Sequence, residues 1–435
     1  MILERTKNSL LNKALPRETR GNRLEGILCQ GVVIMIGLFV FFNPFSHVTA
    51  LKEMTYYGSL SVALYLFVSG KKQFFWSSPL TLPLLILFVW SSVGVFFALD
   101  RANSLHDVLY HLLKYVALFF LLITFYPSRR DLKALSMIVI VSATSFSIAA
   151  MVDFYLFQGH GIEFRLDYRL AYSGRRHFFE ISANYLGFIT VFASVLSLNL
   201  FFNENRGTRR AMLALCLIAT ITATLLTQTR GAIGALVLAF LLFGIKTRRG
   251  RLFVMFLPII VAAFILSTDV TRERFSVKHL RSDERIGITL MYFKIIAEHP
   301  FAGIGFGMEL LQKKEFMTPY YERVPEAYRD PFFNMSPHNF YLDVAVRLGC
   351  IGLLLYLYII VTALRMVWQS FNNAAEAGAR NDALCLAASF GAFLVQAFFA
   401  DASFGAPAVV FYLHLAMITI LWRESRGPAP VKGQT

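Results

Sequence analysis

Long apolar stretches alternate with short polar turns along this chain, and one polar interval is far longer than the others. A helix needs about 20 apolar residues to cross a bilayer. Twelve windows read as such spans: 26–45, 54–70, 79–98, 107–126, 134–157, 181–202, 211–228, 230–246, 252–268, 339–366, 383–400 and 404–422. The seventh and eighth are joined by the tight turn Gln228-Thr229-Arg230-Gly231. Between about 268 and 338 the apolar pattern stops. Within that interval Ser282-Asp283-Glu284-Arg285 is followed by Ile286 to Glu298 with apolar residues at helical spacing, which predicts an amphipathic helix on the membrane surface, capped by Ser282 or Asp283. His299-Pro300-Phe301-Ala302-Gly303-Ile304-Gly305-Phe306-Gly307 then stops the helix and turns the chain, and its glycines imply backbone lying close to a neighbour. No strand precedes them, so a dinucleotide-binding fingerprint is not supported. Where the interval closes, Ser336 and Pro337 read as N-cap and first helical residue, which places His338 in the first turn of a helix running from Phe340 to about Met366.

Composition agrees with immersion in lipid. Of the 435 residues 56% are hydrophobic and 16% charged, against roughly 25% charged in soluble domains, and the mean hydropathy is +0.56. The expected fold class is an all-α polytopic membrane protein of about 12 transmembrane helices with one long outer loop carrying short helices. The expected organisation is a basic N-terminal segment at 1–25, nine helices over 26–267, the loop at 268–338, three helices over 339–422 and a tail at 423–435. The first 24 residues lack the apolar run and small-residue cleavage site of a signal peptide, so the run Gly26 to Phe45 reads as a retained span. Cys29, Cys216, Cys350 and Cys385 all fall in apolar segments without metal-ligand spacing and read as packing residues.

Charge in the short loops sets the expected orientation. Lys71-Lys72, Arg129-Arg130, Arg206 with Arg209-Arg210, and Lys246 with Arg248-Arg249-Arg251 fall on the side of the N-terminus, which carries Arg5, Lys7, Lys13, Arg17, Arg20 and Arg23. Both termini are then cytoplasmic, and the long loop faces outward. One short outer loop breaks the pattern, because 158–180 carries Arg165, Arg169, Arg175 and Arg176. Two readings of these arginines stay open: pairing with lipid phosphates or with Asp167 and Glu180, or a collar that binds a substrate phosphate through guanidinium forks.

Charged residues are scarce inside the spans, the exceptions being Lys114 and Arg347, with Asp343 and Asp153 nearer the ends. Asp343 and Arg347, four apart on one helix, are placed to pair. A polysaccharide exporter, the alternative of a different class, needs a polar path at mid-membrane, whereas the polar residues here gather at the outer face. At that face Arg230 stands between the seventh and eighth spans and Arg285 on the surface helix. Lys114 with His111 and His106 lines the outer end of the fourth span, either snorkelling or facing the same cavity. A histidine at a helix start is disfavoured as imidazolium by the helix dipole. His338 is thus expected to be neutral and able to accept a proton; the plainer reading is a helix-start histidine bonded to water or backbone. His299, beside a proline, reads as structural.

The segments Thr227-Gln228-Thr229-Arg230-Gly231, Arg285, His299 to Gly305, Pro337-His338-Asn339-Phe340-Tyr341-Leu342 and Arg347-Leu348-Gly349-Cys350-Ile351-Gly352 together resemble the O-antigen ligase and polymerase superfamily. The shared signature covers about 222–356. The sequence departs from many members at Leu290-Met291, where they carry a tryptophan. The resemblance implies a fold similar to membrane-embedded C-type glycosyltransferases. It also implies transfer of a glycan from undecaprenyl diphosphate at the periplasmic face of the bacterial inner membrane. The expected activity is ligation of that glycan to the lipid A-core oligosaccharide, with His338 as base. Arg230, Arg285, Arg165, Arg169, Arg175 and Arg176 are expected on the diphosphate, with Asn339 and Lys114 in support. No cofactor, metal or nucleic acid is expected, and inversion of configuration is. An O-antigen polymerase and a protein O-oligosaccharyltransferase of the same superfamily are the alternatives.

Overall fold

The computed structural model describes residues 20–167, 182–246, 259–267, 272, 285–329 and 337–426. Among them every regular element is helical, and no strand occurs. The helices are α1 (Arg20–Phe42), α2 (Thr49–Val68), α3 (Thr81–Gly94), α4 (Arg101–Phe125), α5 (Arg129–Phe157), α6 (Ala183–Asn203), α7 (Gly207–Leu226), α8 (Arg230–Lys246), α9 (Arg285–Glu298), α10 (Lys314–Glu322), α11 (Phe340–Asn373), α12 (Ala377–Gln396) and α13 (Gly405–Ser425). The chain is an all-α polytopic membrane protein.

Seven of the twelve expected spans coincide with helices long and apolar enough to cross a bilayer: Leu24–Phe42 of α1, α4, α5, α6, α7, α11 and α13. The windows at 79–98 and 230–246 are shorter apolar helices. α2 carries Lys52 and Glu53, and α12 opens with Arg380, Asn381 and Asp382, so these 20-residue helices fall short of the same standard. Most of the window 252–268 lies outside the described residues.

α13 is the hub. Its residues from Pro407 to Trp422 are all buried, which requires protein on every side, and α4, α6, α11 and α12 pack around it. Because every backbone polar group must be satisfied within the bilayer, hydroxyl side chains serve as extra links. Between α6 and α7, Ser194 donates to Thr220 at 2.9 Å and Thr224 donates to Thr190 at 2.8 Å. Small hydroxyl residues let two backbones approach and then bond across the gap.

Side-chain and backbone bonds gather helix ends and turns of the described residues at two ends of the bundle. At the end where α5 and α12 begin, Arg129 donates to Asp382 at 2.6 Å and to Glu376 at 2.9 Å, while Asn199 donates to the other Asp382 oxygen at 2.8 Å. α5 itself starts with a reciprocal cap in which Ser128 and Asp131 bond each other's backbone. The opposite end gathers the starts of α4, α6, α8 and α11, the turn between α12 and α13, and the segment 285–329.

The helix expected from Met366 backward is longer and begins differently. α11 runs to Asn373, and its N-cap is Asn339, whose side chain accepts from the Leu342 N–H at 3.0 Å. Ser336 is outside the described residues, and Pro337 and His338 precede the cap. His338 is therefore not in the first helical turn, because the Asn339 amide oxygen takes the capping place expected of the Ser336 hydroxyl. Its own backbone is left-handed, at φ 46°, which for a non-glycine residue persists only where the surroundings enforce it. Ser282 and Asp283, the expected caps of α9, also lie outside the described residues.

Removing the Asp382 carboxylate leaves Arg129 and Asn199 without their shared acceptor in a dry place. Asp382→Ala is expected to cost about 3–5 kcal/mol, read as a large fall in apparent melting temperature in detergent. Asp382→Asn, which keeps one acceptor oxygen, is expected to lose less.

Candidate active site

α11 is broken nine residues after it starts. Gly349 has φ 67° and ψ −173°, values outside the helical region, so the usual i to i−4 ladder fails around it. The orphaned groups are satisfied from outside the helix. Ile304 N donates to Val346 O at 2.9 Å, Gly305 N to Arg347 O at 3.1 Å, and the Trp90 indole of α3 to Leu348 O at 3.1 Å. On the other side of the break, Cys350 N donates to Pro300 O at 2.7 Å. The loop His299 to Gly307 is thus the missing piece of the helix. Its glycines are explained by contact: a Cβ on Gly303 would sit 2.4 Å from the Val346 oxygen, and one on Gly349 would sit 2.1 Å from the Phe301 oxygen.

The same loop is latched to the start of α4. Gly307 N donates to Ser104 at 3.3 Å, Met308 N to Asp107 at 2.9 Å and Glu309 N to Asn103 at 3.1 Å. Lys313 reaches Asp100 at 3.0 Å. Asp100 caps α4, and the Asn103 N–H together with Lys313 holds its carboxyl below the usual range.

Arg347 closes the assembly from within. It donates to Asp343 at 2.7 Å and to Phe306 O at 3.2 Å, and its guanidinium stands 4.4 Å over the Phe404 ring in the turn between α12 and α13. Both partners of this pair are buried, so the Coulomb gain stands against the desolvation of two charges. Tyr292 of α9 is fully buried nearby. Burial pushes its hydroxyl well above its usual range, with Asp343 and Asp401 adding to the shift and Arg347 opposing it. α9 accordingly does not merely lie on the surface. Ile288, Met291, Tyr292 and Ile295 form a second core with Leu342 and Val346 of α11, and Glu298 ties α9 to α10 through Tyr320 at 2.7 Å and Arg323 at 2.6 Å.

His338 and Asn339 lead into this braced half-helix. Phe340 N donates to Ala397 O at 2.8 Å, and Tyr341 donates to Leu394 O at 3.0 Å. Arg230 is the first residue of α8, and the adjacent Gly231 abuts Phe399, where an added Cβ would meet the Phe399 side chain at 2.8 Å. The starts of α8 and α11 therefore pack on the same stretch, 397–399, through Gly231 and Phe340. Arg285 begins α9 one turn before the residues that pack on Leu342. These three sequence-derived candidates gather at one end of the bundle.

Arg165 has a bracing part. It donates to Thr227 O at 2.9 Å, Asn184 at 3.0 Å and Thr229 at 3.1 Å, and pairs with Asp167 at 3.6 Å. It thereby fixes the turn from which Arg230 emerges, a turn in which Gln228 has φ 48° and donates to Glu163 O at 2.8 Å. Lys114 belongs to another group: it bonds Glu53 and stands within 5.0 to 5.9 Å of the Phe39, Tyr56 and Tyr57 ring centres. His106 and His111 surround Asp107, at 2.9 and 3.8 Å. Arg169, Arg175 and Arg176 fall outside the described residues.

Sequence reading missed Trp90, Asp107 and Tyr292. Trp90 and Asp107 sit in segments without motifs, and their partners are more than 200 residues away in the chain. Among the described residues no cluster of three or more His, Cys, Asp or Glu is placed to hold a metal ion.

Residues 213–357, about a third of the chain, match the family model described as O-antigen ligase. No curated protein matches the chain. The matched segment holds Arg230, Arg285, the loop His299 to Gly307, His338 and the break at Gly349, and over this third of the chain the protein is similar to the O-antigen ligase family.

Proposed function

We propose that this protein is an O-antigen ligase, transferring a polysaccharide from undecaprenyl diphosphate to the lipid A-core oligosaccharide at the periplasmic face of the inner membrane. The observation that carries the reading is that the start of α8, which bears Arg230, and the start of α11, which His338 precedes, both pack on the 397–399 turn through Gly231 and Phe340, with Arg230 and His338 both in the segment that matches the family. A diphosphate needs fixed cationic donors, and the chemistry needs a proton acceptor within reach of the same anomeric carbon.

In this reading Arg230 and Arg285 hold the diphosphate and take up the charge that develops on it as the bond to the sugar breaks. Arg169, Arg175 and Arg176 extend the cationic collar, and Arg165 holds the Arg230 turn in place while adding its charge. The acceptor hydroxyl oxygen attacks the anomeric carbon, its proton passes to the His338 imidazole, and undecaprenyl diphosphate departs with the electron pair of the broken C–O bond. One displacement inverts the configuration. The left-handed backbone of His338 supports this role, because strain of that kind concentrates where a side chain must be held in one direction. The dipole of α11 does not enter the argument, since His338 stands before the cap and the effect fades beyond the terminal turn. The arginines do the work that a divalent cation does in many glycosyltransferases, so activity is expected to persist in EDTA. The end of the bundle bearing this group faces the periplasm, and both termini are cytoplasmic.

The test is transfer by purified protein from undecaprenyl-diphosphate-linked glycan, with and without lipid A-core. Core-dependent product supports the ligase; chain lengthening without core replaces it with the polymerase, and transfer to a protein hydroxyl with the oligosaccharyltransferase. His338→Ala is expected to abolish turnover while donor binding survives, and retained turnover removes His338 from the mechanism. Arg230→Ala is expected to lower kcat/KM about 100-fold or more, with Arg230→Lys recovering only part of it, because a lysine lacks the two-pronged fork. Full recovery by lysine would argue against a bidentate phosphate contact.

A further inference from the structure

We infer that Trp90 is a positioning residue for the active site, holding the half-helix into which His338 and Asn339 lead. This rests on the reading of His338 given above. The half-helix, from Phe340 to Leu348, ends in a break that leaves three consecutive carbonyls, Val346, Arg347 and Leu348, needing donors from elsewhere. Two receive backbone N–H groups of Ile304 and Gly305. The third receives a side chain, the Trp90 indole of α3, at 3.1 Å. Trp90 lies outside the family-matched segment, so the brace is supplied by a part of the chain that the family signature does not include.

The indole is suited to this place. It has one N–H donor on a large apolar body, so it packs half-buried against the apolar core while its donor reaches the backbone of α11. An unpaired carbonyl at that depth has no water to turn to, and the cheapest response is movement of the half-helix. The other tethers, Phe340 to Ala397 and Arg347 to Asp343 and Phe306, sit on the same rigid unit. Loosening the break therefore displaces the His338 end relative to Arg230 without removing either group.

Trp90→Phe keeps an aromatic ring and deletes the donor; Trp90→His restores an N–H on a smaller ring. Two readouts are taken on full-length protein in the same detergent: steady-state transfer, and hydrogen exchange in the peptides covering 300–306 and 340–352. Trp90→Phe is expected to lower kcat about tenfold with donor KM changed less than twofold, and to speed exchange about tenfold at the Ile304, Gly305 and Cys350 amides. Trp90→His is expected to recover most of both. Wild-type rate and exchange in Trp90→Phe would overturn the inference, and so would equal impairment in the two variants, which would assign the effect to ring packing. If the wild-type protein transfers no glycan, the functional reading fails while the exchange arm still decides whether Trp90 holds the break.

Discussion

A helix interrupted at Gly349 must find hydrogen-bond partners for its severed ends, and the rest of the site is arranged around that need. The loop from His299 to Gly307 provides two donors and one acceptor, and Trp90 provides a third donor. Once the loop is there, its far side is fixed by Ser104, Asp107 and Asn103 at the start of α4. Arg347 then bonds loop and helix together under Phe404. A backbone defect has thus become the joint that unites α3, α4, α11 and the α12–α13 turn.

This arrangement explains how a site can be rigid at the edge of a membrane. Polar loops at an interface ordinarily move, because water competes for every hydrogen bond. Here the loop bonds to carbonyls inside the apolar region, where water does not compete. The positively charged groups stand on helix starts, Arg230 on α8 and Arg285 on α9, while the opposite end of the bundle is clamped separately by Arg129, Asp382 and Asn199. Placement of the candidate site and cohesion of the opposite end are therefore carried by different residues.

The apolar windows were legible in the sequence because lipid imposes length and hydrophobicity directly. Asp343 with Arg347 was legible too, since a spacing of four on a helix leaves few other outcomes for two buried charges. The glycines of the 299–307 loop announced close backbone contact, but not with what, because a partner at Val346 or Arg347 depends on a break that only Gly349 hints at. The cap of α11 was misplaced: Ser336-Pro337 is a strong local start signal, yet Asn339 also caps, and a left-handed residue between them cannot be read from residue type. Trp90 gave no signal, since an indole in an apolar helix looks the same whether its N–H meets lipid headgroups or a carbonyl 258 positions away.

The central claim is that a lipid-linked diphosphate lies between Arg230 and His338. The most direct measurement is an electron cryo-microscopy structure of the His338→Ala protein with undecaprenyl-diphosphate-linked glycan bound. The account predicts diphosphate density against Arg230 and Arg285, with the anomeric carbon facing the emptied His338 position. Donor density elsewhere on the bundle, or beside Arg230 with its sugar turned away from residue 338, would contradict it.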